Sequence, residues 1–455
     1  MFLEVFKLLA FRTLVLSSKS KDCKKSAQKK PFKKDIQGSV YIGVFLIGVL
    51  QGNAQTQISF TLDDCYQQAQ TNYPLVKKRT LIKQSEDFSI ENAAKGYLPQ
   101  FSVNGQATYQ SAVTTIPIAV PGIDIPQLDK DQYKVYGELT QSIYDGGETK
   151  QRKALQHATA AIEEQSLSVS LYQLKERVHQ LFFGILLIEA QLHQHGLLIK
   201  DIDLGLAKTQ GAIDHGTALR SSADVLKAEK LKAEQQSIDL KATRIAYLEM
   251  LSLFLNRALD TNTVLIKPQP AISFSEIKRP ELDLYDHQLE RIDVQEKTIE
   301  ARNRPKFDFF FQGGYGRPAL NMLKPNFEAY YIGGFRMRWN LANLYISKNE
   351  KAILENDRLS IDADKETFLF NIQSQMKQES ASMKRYQALL QSDDEIISLR
   401  ERVKNAALAQ LEYGVMTTSD YLREVNAADQ ARVNKSIHEI QLLSSQYSHQ
   451  NTTGN

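Results

Sequence analysis

Residues 100–110 read Gln100-Phe101-Ser102-Val103-Asn104-Gly105-Gln106-Ala107-Thr108-Tyr109-Gln110. The odd positions are Phe, Val, Gly, Ala and Tyr, and every even position is polar. Side chains of a strand alternate between its two faces, so this stretch has one apolar face and one wholly polar face. Three further stretches share the pattern. In 306–316, Phe307, Phe309, Phe311, Gly313 and Tyr315 oppose Lys306, Asp308 and Gln312, with Phe310 as the exception. In 330–341, Tyr331, Gly333, Phe335, Met337, Trp339 and Leu341 oppose Arg336, Arg338 and Asn340. In 133–144, Tyr133, Val135, Leu139 and Ile143 oppose Lys134, Glu138, Thr140 and Ser142.

Alternating segments of about ten residues with aromatics near their ends are the pattern of transmembrane β-barrel strands. A soluble, half-buried sheet alternates in the same way. Two features favour lipid: the apolar face is unusually aromatic, and no other Val/Ile-rich strand exists to cover it. This reading sets Phe101, Phe307, Phe309, Phe311, Phe335 and Trp339 toward lipid, and Lys134, Glu138, Arg336 and Arg338 toward a polar bore. A small closed barrel needs about eight strands, and an open edge is not tolerated in lipid. The four strands must therefore be pooled with those of other copies: two copies would give a barrel filled by side chains, three a water-filled bore. The longer connections, Ser111–Asp131 and Arg317–Glu328, belong outside the cell in such a barrel, so the strand ends that run into helices face the periplasm.

The remainder reads as helix, over 62–95, 147–212, 221–258, 276–303, 344–412 and 419–447. The run from Gly147 to Ala212 would be roughly 100 Å long at the α-helical rise. Leu167, Leu171, Leu174, Val178, Leu181, Ile185, Ile188 and Leu192 step by four and three along it, and His195, Ile199, Ile202 and Leu206 continue the cadence. Such a 3.5-residue seam packs helices as coiled coils. The seam of 344–412, through Leu369, Ile372, Met376, Met383, Tyr386 and Leu390, is looser. Hydrophobic residues make up 42% of the 455 and charged residues 24%, which excludes both a disordered chain and a polytopic helical membrane protein.

The chain divides into a leader and two similar halves. A basic cluster around Lys24–Lys34, an apolar run Val40–Leu50 and the small-residue site Gly52-Asn53-Ala54 have the order of a secretory signal over 1–54. That segment carries +7 of formal charge against +3 for the whole chain, leaving −4 beyond it, so no nucleic-acid partner is implied. Cys23 falls in the leader; Cys65 is the lone cysteine beyond it and reads as a small buried hydrophobe. Ala94–Phe101 is echoed by Ala301–Phe307, Ser142–Tyr144 faintly by Asn340–Ala342, Gly216 by Gly414, and Asp224-Val225-Leu226 by Asp420-Tyr421-Leu422. The halves are 55–258 and 276–447, joined by a linker at 259–275 and completed by a flexible tail at 448–455; duplication is the simplest account.

Phe60-Thr61-Leu62-Asp63-Asp64-Cys65, Asn72-Tyr73-Pro74, Tyr97-Leu98-Pro99, Tyr144-Asp145-Gly146-Gly147 and the turn from Gly414 to Asp420 resemble the TolC family of outer-membrane efflux proteins. The resemblance spans nearly all of the chain after the leader. It implies an α+β membrane protein: a homotrimer with a 12-stranded β-barrel, continued by long coiled-coil helices as a periplasmic tunnel. It implies docking to an inner-membrane pump through a periplasmic adaptor protein. Relatives close the tunnel at the glycine turns, with a ring of acidic residues just beyond. Asp420 matches the first of these, Arg423 replaces the second, and Met416 stands where some members have an arginine, so the charge network differs here. Many relatives carry a lipid on a cysteine after the leader; no cysteine is so placed here.

The turn residues have two compatible readings. Asp224 and Asp420 are each expected in the first turn of a helix, where a carboxylate meets the helix dipole favourably, with Ser221 and Ser419 as N-caps. They equally suit a constriction together with Gly216, Gly414 and Arg423. His193 and His195, two apart on a helix, do not share a face and make no metal pair. The sequence has no phosphate-binding glycine loop, no nucleophile–base set, no metal-spaced cluster and no implied cofactor, and an enzyme is not expected. The expected function is a passive export duct serving an efflux or type I secretion system. A periplasmic coiled-coil adaptor or scaffold with a soluble sheet is the rival reading.

Overall fold

The structure, a computed structural model, describes residues 59–115, 128–271, 275–322 and 324–455. The leader, with Cys23, the Lys24–Lys34 cluster and the Val40–Leu50 run, lies outside these residues, as does the middle of the loop between the first two strands. The chain forms β1 (Ser59–Phe60), α1 (Leu62–Asn72), α2 (Lys77–Ala94), β2 (Gln100–Tyr109), β3 (Asp131–Tyr144), α3 (Glu148–Tyr172) and α4 (Leu174–Asp214). It continues with α5 (Arg220–Leu255), β4 (Val264–Leu265), α6 (Pro280–Arg302), β5 (Lys306–Arg317), β6 (Glu328–Arg338), α7 (Ala342–Glu412) and α8 (Thr418–Thr453).

The four long strands form one antiparallel sheet in the order β2-β3-β5-β6. Its register decides the faces. Phe101 lies opposite Leu139, Leu139 opposite Phe311, Phe309 opposite Phe335 and Phe307 opposite Met337. Directly opposed residues point to the same side, so the odd positions of all four strands make one apolar face. Phe101, Phe335 and Tyr331 on it are more than 70% exposed, so nothing among the described residues covers them. Trp339 departs from the expected strand: β6 ends at Arg338, and the Trp339 indole donates to the Asn303 carbonyl at 3.0 Å, at the sheet's helical end.

Below the sheet the helices make two successive layers that share α7 and are also joined by α3 running almost directly into α4. Next to the strands the order is α2–α3–α6–α7; farther away it is α5–α4–α8–α7. The predicted single helix over 147–212 is interrupted only at Gln173, whose N–H still donates to Val169 O at 3.1 Å. Its seam is buried from Leu167 through Ile188 and again at Ile202, while Leu198 rather than the expected Ile199 is buried between them. The main core gathers where α1 and β4 lie over α4, α5 and α8, around Tyr66, Val178, Phe182, Ile185, Leu251 and Leu255. Cys65 is fully buried there, and burial pushes its thiol up to about 12, so it packs as a small hydrophobe.

Two expected connections are structured instead. The linker 259–275 contains β4, which pairs in parallel with β1, Ser59 opposite Val264 and Phe60 opposite Leu265, and buries Leu265. The expected flexible tail continues α8 to Thr453, with Asn451, Thr452 and Thr453 buried. It is held because its polar groups have partners: the Tyr172 hydroxyl donates to Asn451 O at 2.5 Å, Asn451 donates to the Tyr66 hydroxyl at 2.9 Å, and Lys278 N–H donates to Thr453 O at 2.6 Å.

His179 sits in this core between the Tyr66 hydroxyl (3.4 Å from Nδ1) and Ser444 Oγ (3.0 Å from Nε2). Burial lowers its pKa to about 4. Its folded pKa lies below the unfolded value near 6.5, so the stability it contributes is complete above pH 6.5. That contribution is lost as pH falls through 4, by about 3 kcal/mol in all. The stability gap between the wild-type chain and His179→Gln, followed by melting, should change by this amount over that window and stay constant above pH 7; parallel pH profiles throughout would contradict it.

Candidate pore faces and helical constriction

The even face of the sheet carries paired charge. Glu138 on β3 meets the Arg336 guanidinium of β6 at 3.2 Å, reaching across β5. Arg338 meets Asp308 at 2.7 Å, and Asp308 is almost wholly buried beneath it. The Arg336 guanidinium also lies over the Phe310 ring at 4.5 Å, which gives that aromatic a cationic partner on the polar face. Lys134 lies opposite Gln106 and Gly316 in the register, away from these pairs. All four expected bore residues therefore share one face, and Asp308 belongs with them.

At the sheet–helix junction Asp145 fixes where α3 begins. Its carboxylate accepts from the Tyr97 hydroxyl (2.9 Å) and the backbone N–H groups of Gly147 (2.9 Å) and Thr149 (2.7 Å). Burial opposes its ionisation, but these hydrogen bonds outweigh burial and hold the carboxyl at about 2. Gly146 and Gly147 both have positive φ, and a Cβ on Gly146 would stand 2.7 Å from Ala301 O. The Asp-Gly-Gly motif is thus a strand-to-helix corner.

At the opposite end Gly216 and Gly414 take φ +73° and +70° and close α4 and α7. Thr217 N–H reaches back to Ala212 O (2.8 Å) and Val415 N–H to Gln410 O (2.9 Å), the Schellman arrangement that glycine serves. Space is not the constraint, since a Cβ at either site would meet nothing within 4 Å. The caps differ from those expected. Thr417, not Ser419, caps α8: its hydroxyl accepts from Asp420 N–H at 3.2 Å. Leu219 occupies the cap of α5 with no side-chain hydrogen bond, and Ser221 lies inside the helix. Asp420 stands in the first turn, but Asp224 falls one turn deeper, with Lys227 at 4.0 Å. Arg423 pairs with Asp420 at 3.3 Å within the same helix, so this turn carries a matched pair of charges.

A feature absent from the sequence reading lies above these turns. Asp201 of α4 accepts from both Lys404 of α7 (2.9 Å) and Arg432 of α8 (3.0 Å). Glu401 accepts from the same two cations, at 2.7 and 2.8 Å, which closes a four-membered ring of charge joining three helices. Lys404 is 7% exposed. Asp429 lies 3.9 Å from Arg432, and burial pushes its carboxyl up, only partly offset by Arg432 and His195. Tyr421 is buried beside the ring: its hydroxyl donates to Asp201 O at 2.9 Å, and its side chain fills the space left at Gly205. Among the described residues no cluster of His, Cys, Asp and Glu is arranged to hold a metal.

No protein-family model matches this sequence, and no curated protein is similar to it. Solved structures are similar in fold. The outer membrane protein VceC from Vibrio cholerae aligns over 87% of this chain and 96% of its own, with a TM-score of 0.62 and 12% identity. The Campylobacter jejuni CmeC outer membrane channel aligns over 93% and 94%, with a TM-score of 0.60 and 13% identity. The Neisseria gonorrhoeae MtrE outer membrane channel, solved in an open state, aligns over 87% and 89%, with a TM-score of 0.61 and 12% identity. The chain therefore has the fold of these channels.

Arg432→Met should cost about 3 kcal/mol or more, because it leaves three acids around one lysine in a buried site. Thermal melting in detergent reads this, and a change below about 1 kcal/mol would mean that the ring is not coupled.

Proposed function

We propose that this chain is the outer-membrane export duct of a tripartite efflux or type I secretion system, passively conducting substrates from an inner-membrane pump. The carrying observation is a four-stranded sheet with an uncovered aromatic face and, among the described residues, two edges, β2 and β6, that pair with no further strand. Such a sheet is stable in lipid only when its edges are paired, so β6 of one copy joins β2 of the next.

The helices support the same neighbour relation. In the layer nearer the sheet the outer members are α2 and α7; in the farther layer they are α5 and α7. Each displays exposed apolar residues seven apart: Leu81 and Phe88 on α2, Ile346 and Ile353 on upper α7, Leu231, Ile238 and Ile245 on α5, Leu389, Ile396 and Val403 on lower α7. A seven-residue apolar repeat is a coiled-coil seam awaiting its partner. An α7 edge meeting the α2 and α5 edges of the next copy is a head-to-tail contact, and such contacts close into a ring. Three copies give a homotrimer with a twelve-stranded barrel, a bore lined by Lys134, Glu138, Arg336 and Arg338, and a twelve-helix tunnel ending at the glycine turns. The two halves, 55–258 and 276–447, contribute equivalent elements to both parts. The partners of the duct are outer-membrane lipid, a periplasmic adaptor and the inner-membrane pump; no catalysis is assigned to it. A soluble adaptor would leave Phe101, Phe335 and Tyr331 bare to water.

The test is the mass of the protein extracted from outer membranes in mild detergent, corrected for bound detergent, with two variants alongside. Three chains are expected. Phe309→Arg on the lipid face should impair assembly by about 2–4 kcal/mol, while Gln106→Arg in the bore should assemble as wild type. A monomer released without detergent, or identical behaviour of the two variants, would overturn the reading.

A further inference from the structure

Lys150, Lys153 and His157 step by three and four along α3, so they share one face of that helix. With Tyr97, Thr149 and Ala154 they line a cavity of about 340 Å³ where the sheet meets the helices. The acids of this neighbourhood are already engaged. Glu91 pairs with Lys95, Glu148 with Arg152 and Lys306, and Glu86 with Lys83 and His157. The Asp145 carboxylate accepts from Tyr97, Gly147 and Thr149, so the start of α3 has its own anion. Lys150 and Lys153 form no ion pair among the described residues. Two cations on one cavity wall, with every nearby acid paired elsewhere, favour an anion from outside the chain.

The other pairs of α3 fix the side on which this cavity lies. Glu148 reaches Lys306, which stands on the polar face of the sheet in line with Asp308. At 3.6 residues per turn, Lys150, Lys153 and His157 lie roughly 200°, 140° and 180° round the helix from Glu148. They therefore point away from the polar face, to the side of the aromatic one. Tyr97 precedes Phe101 of that face by four residues.

We infer that this cavity takes the phosphate of an anionic glycerophospholipid, with the phosphate between Lys150 and Lys153 and the acyl chains along Phe101. The inference rests on the duct reading, which puts the aromatic face in lipid and this junction among the periplasmic headgroups. An ammonium binds phosphate as a point charge and needs no fixed geometry. Tyr97 supplies the amphipathic ring that suits the level between hydrocarbon and water.

The test is native mass spectrometry of the full-length protein in mild detergent, equilibrated with equal amounts of dioleoyl phosphatidylglycerol and dioleoyl phosphatidylcholine. Trimers that retain phosphatidylglycerol in preference to phosphatidylcholine are expected. Replacing both lysines, Lys150→Gln with Lys153→Gln, should weaken that retention about tenfold or more. Arg152→Gln, on the polar side of α3, should retain the lipid as wild type does. Ala154→Trp fills the cavity and keeps both lysines; it should lower retention likewise, and it carries the test if the double variant does not assemble. Sodium phosphate at matched ionic strength should leave the lipid bound. Equal retention of the two lipids, unchanged retention in the variant that assembles, an equal loss in Arg152→Gln, or displacement by free phosphate would overturn the site and leave the trimeric duct standing. A monomer in the same spectra would instead overturn the duct, and the lipid site with it.

Discussion

Backbone N–H and C=O groups must be satisfied wherever water is excluded, and the sheet presents two rows of them along β2 and β6. In water such edges can be solvated; beneath an aromatic face turned to lipid they cannot. The apolar stripes on the outer helices are placed in the same sense around the molecule: the α7 side of the helical layers lies on the same chain segment as β6, and α2 leads directly into β2. A single neighbour relation therefore meets the needs of both parts. Sheet and helices would assemble together, since a register that pairs the strands also brings the seven-residue stripes opposite one another.

The helical layers are held by a different device. The α7 seam contains Glu379, Asp393 and Lys404 at buried positions, each answered from a neighbouring helix: Ser448 and Thr452, His438 at 2.8 Å, and Asp201 at 2.9 Å. Buried ion pairs are weak sources of net stability, because desolvation offsets their attraction. They do penalise a slip of one helix along another, since any other register leaves a charge unpaired. In helices as long as α7, with 71 residues, an apolar seam alone would permit several registers of similar energy. The charges select one.

The same residues account for what the sequence yielded and withheld. The strands were readable because a period of two runs through Phe101–Tyr109 and, but for Phe310, through Phe307–Tyr315. The α4 seam was readable because its members are nearly all Leu, Ile and Val. The α7 seam looked loose because Glu379 occupies one of its positions: Leu369, Ile372, Met376, Glu379, Met383, Tyr386, Leu390, Asp393 and Ile397 keep the four-and-three cadence once Glu379 and Asp393 are included. The common face of Lys134, Glu138, Arg336 and Arg338 was legible from alternation, but the pairing across it was not, since Glu138 and Arg336 lie 198 positions apart. Asp201, Lys404 and Arg432 carry no local signal; each looks like a solvated face until the helices are placed. The segment 448–455 was expected to be a flexible tail because the partners of its polar residues, Tyr66, Tyr172 and Glu379, are distant in sequence and composition does not register them.

The closure made by residues 449–453 also has a consequence in time. Asn451 reaches Tyr66 across 385 residues of chain, Tyr172 reaches Asn451 across 279, and Thr452 holds Glu379. Contacts so remote in sequence form late, because the entropy of closing the intervening chain must be spent before they return anything. The core around Tyr66 and His179 thus stays unfinished until the last turn of α8 has been made and docked.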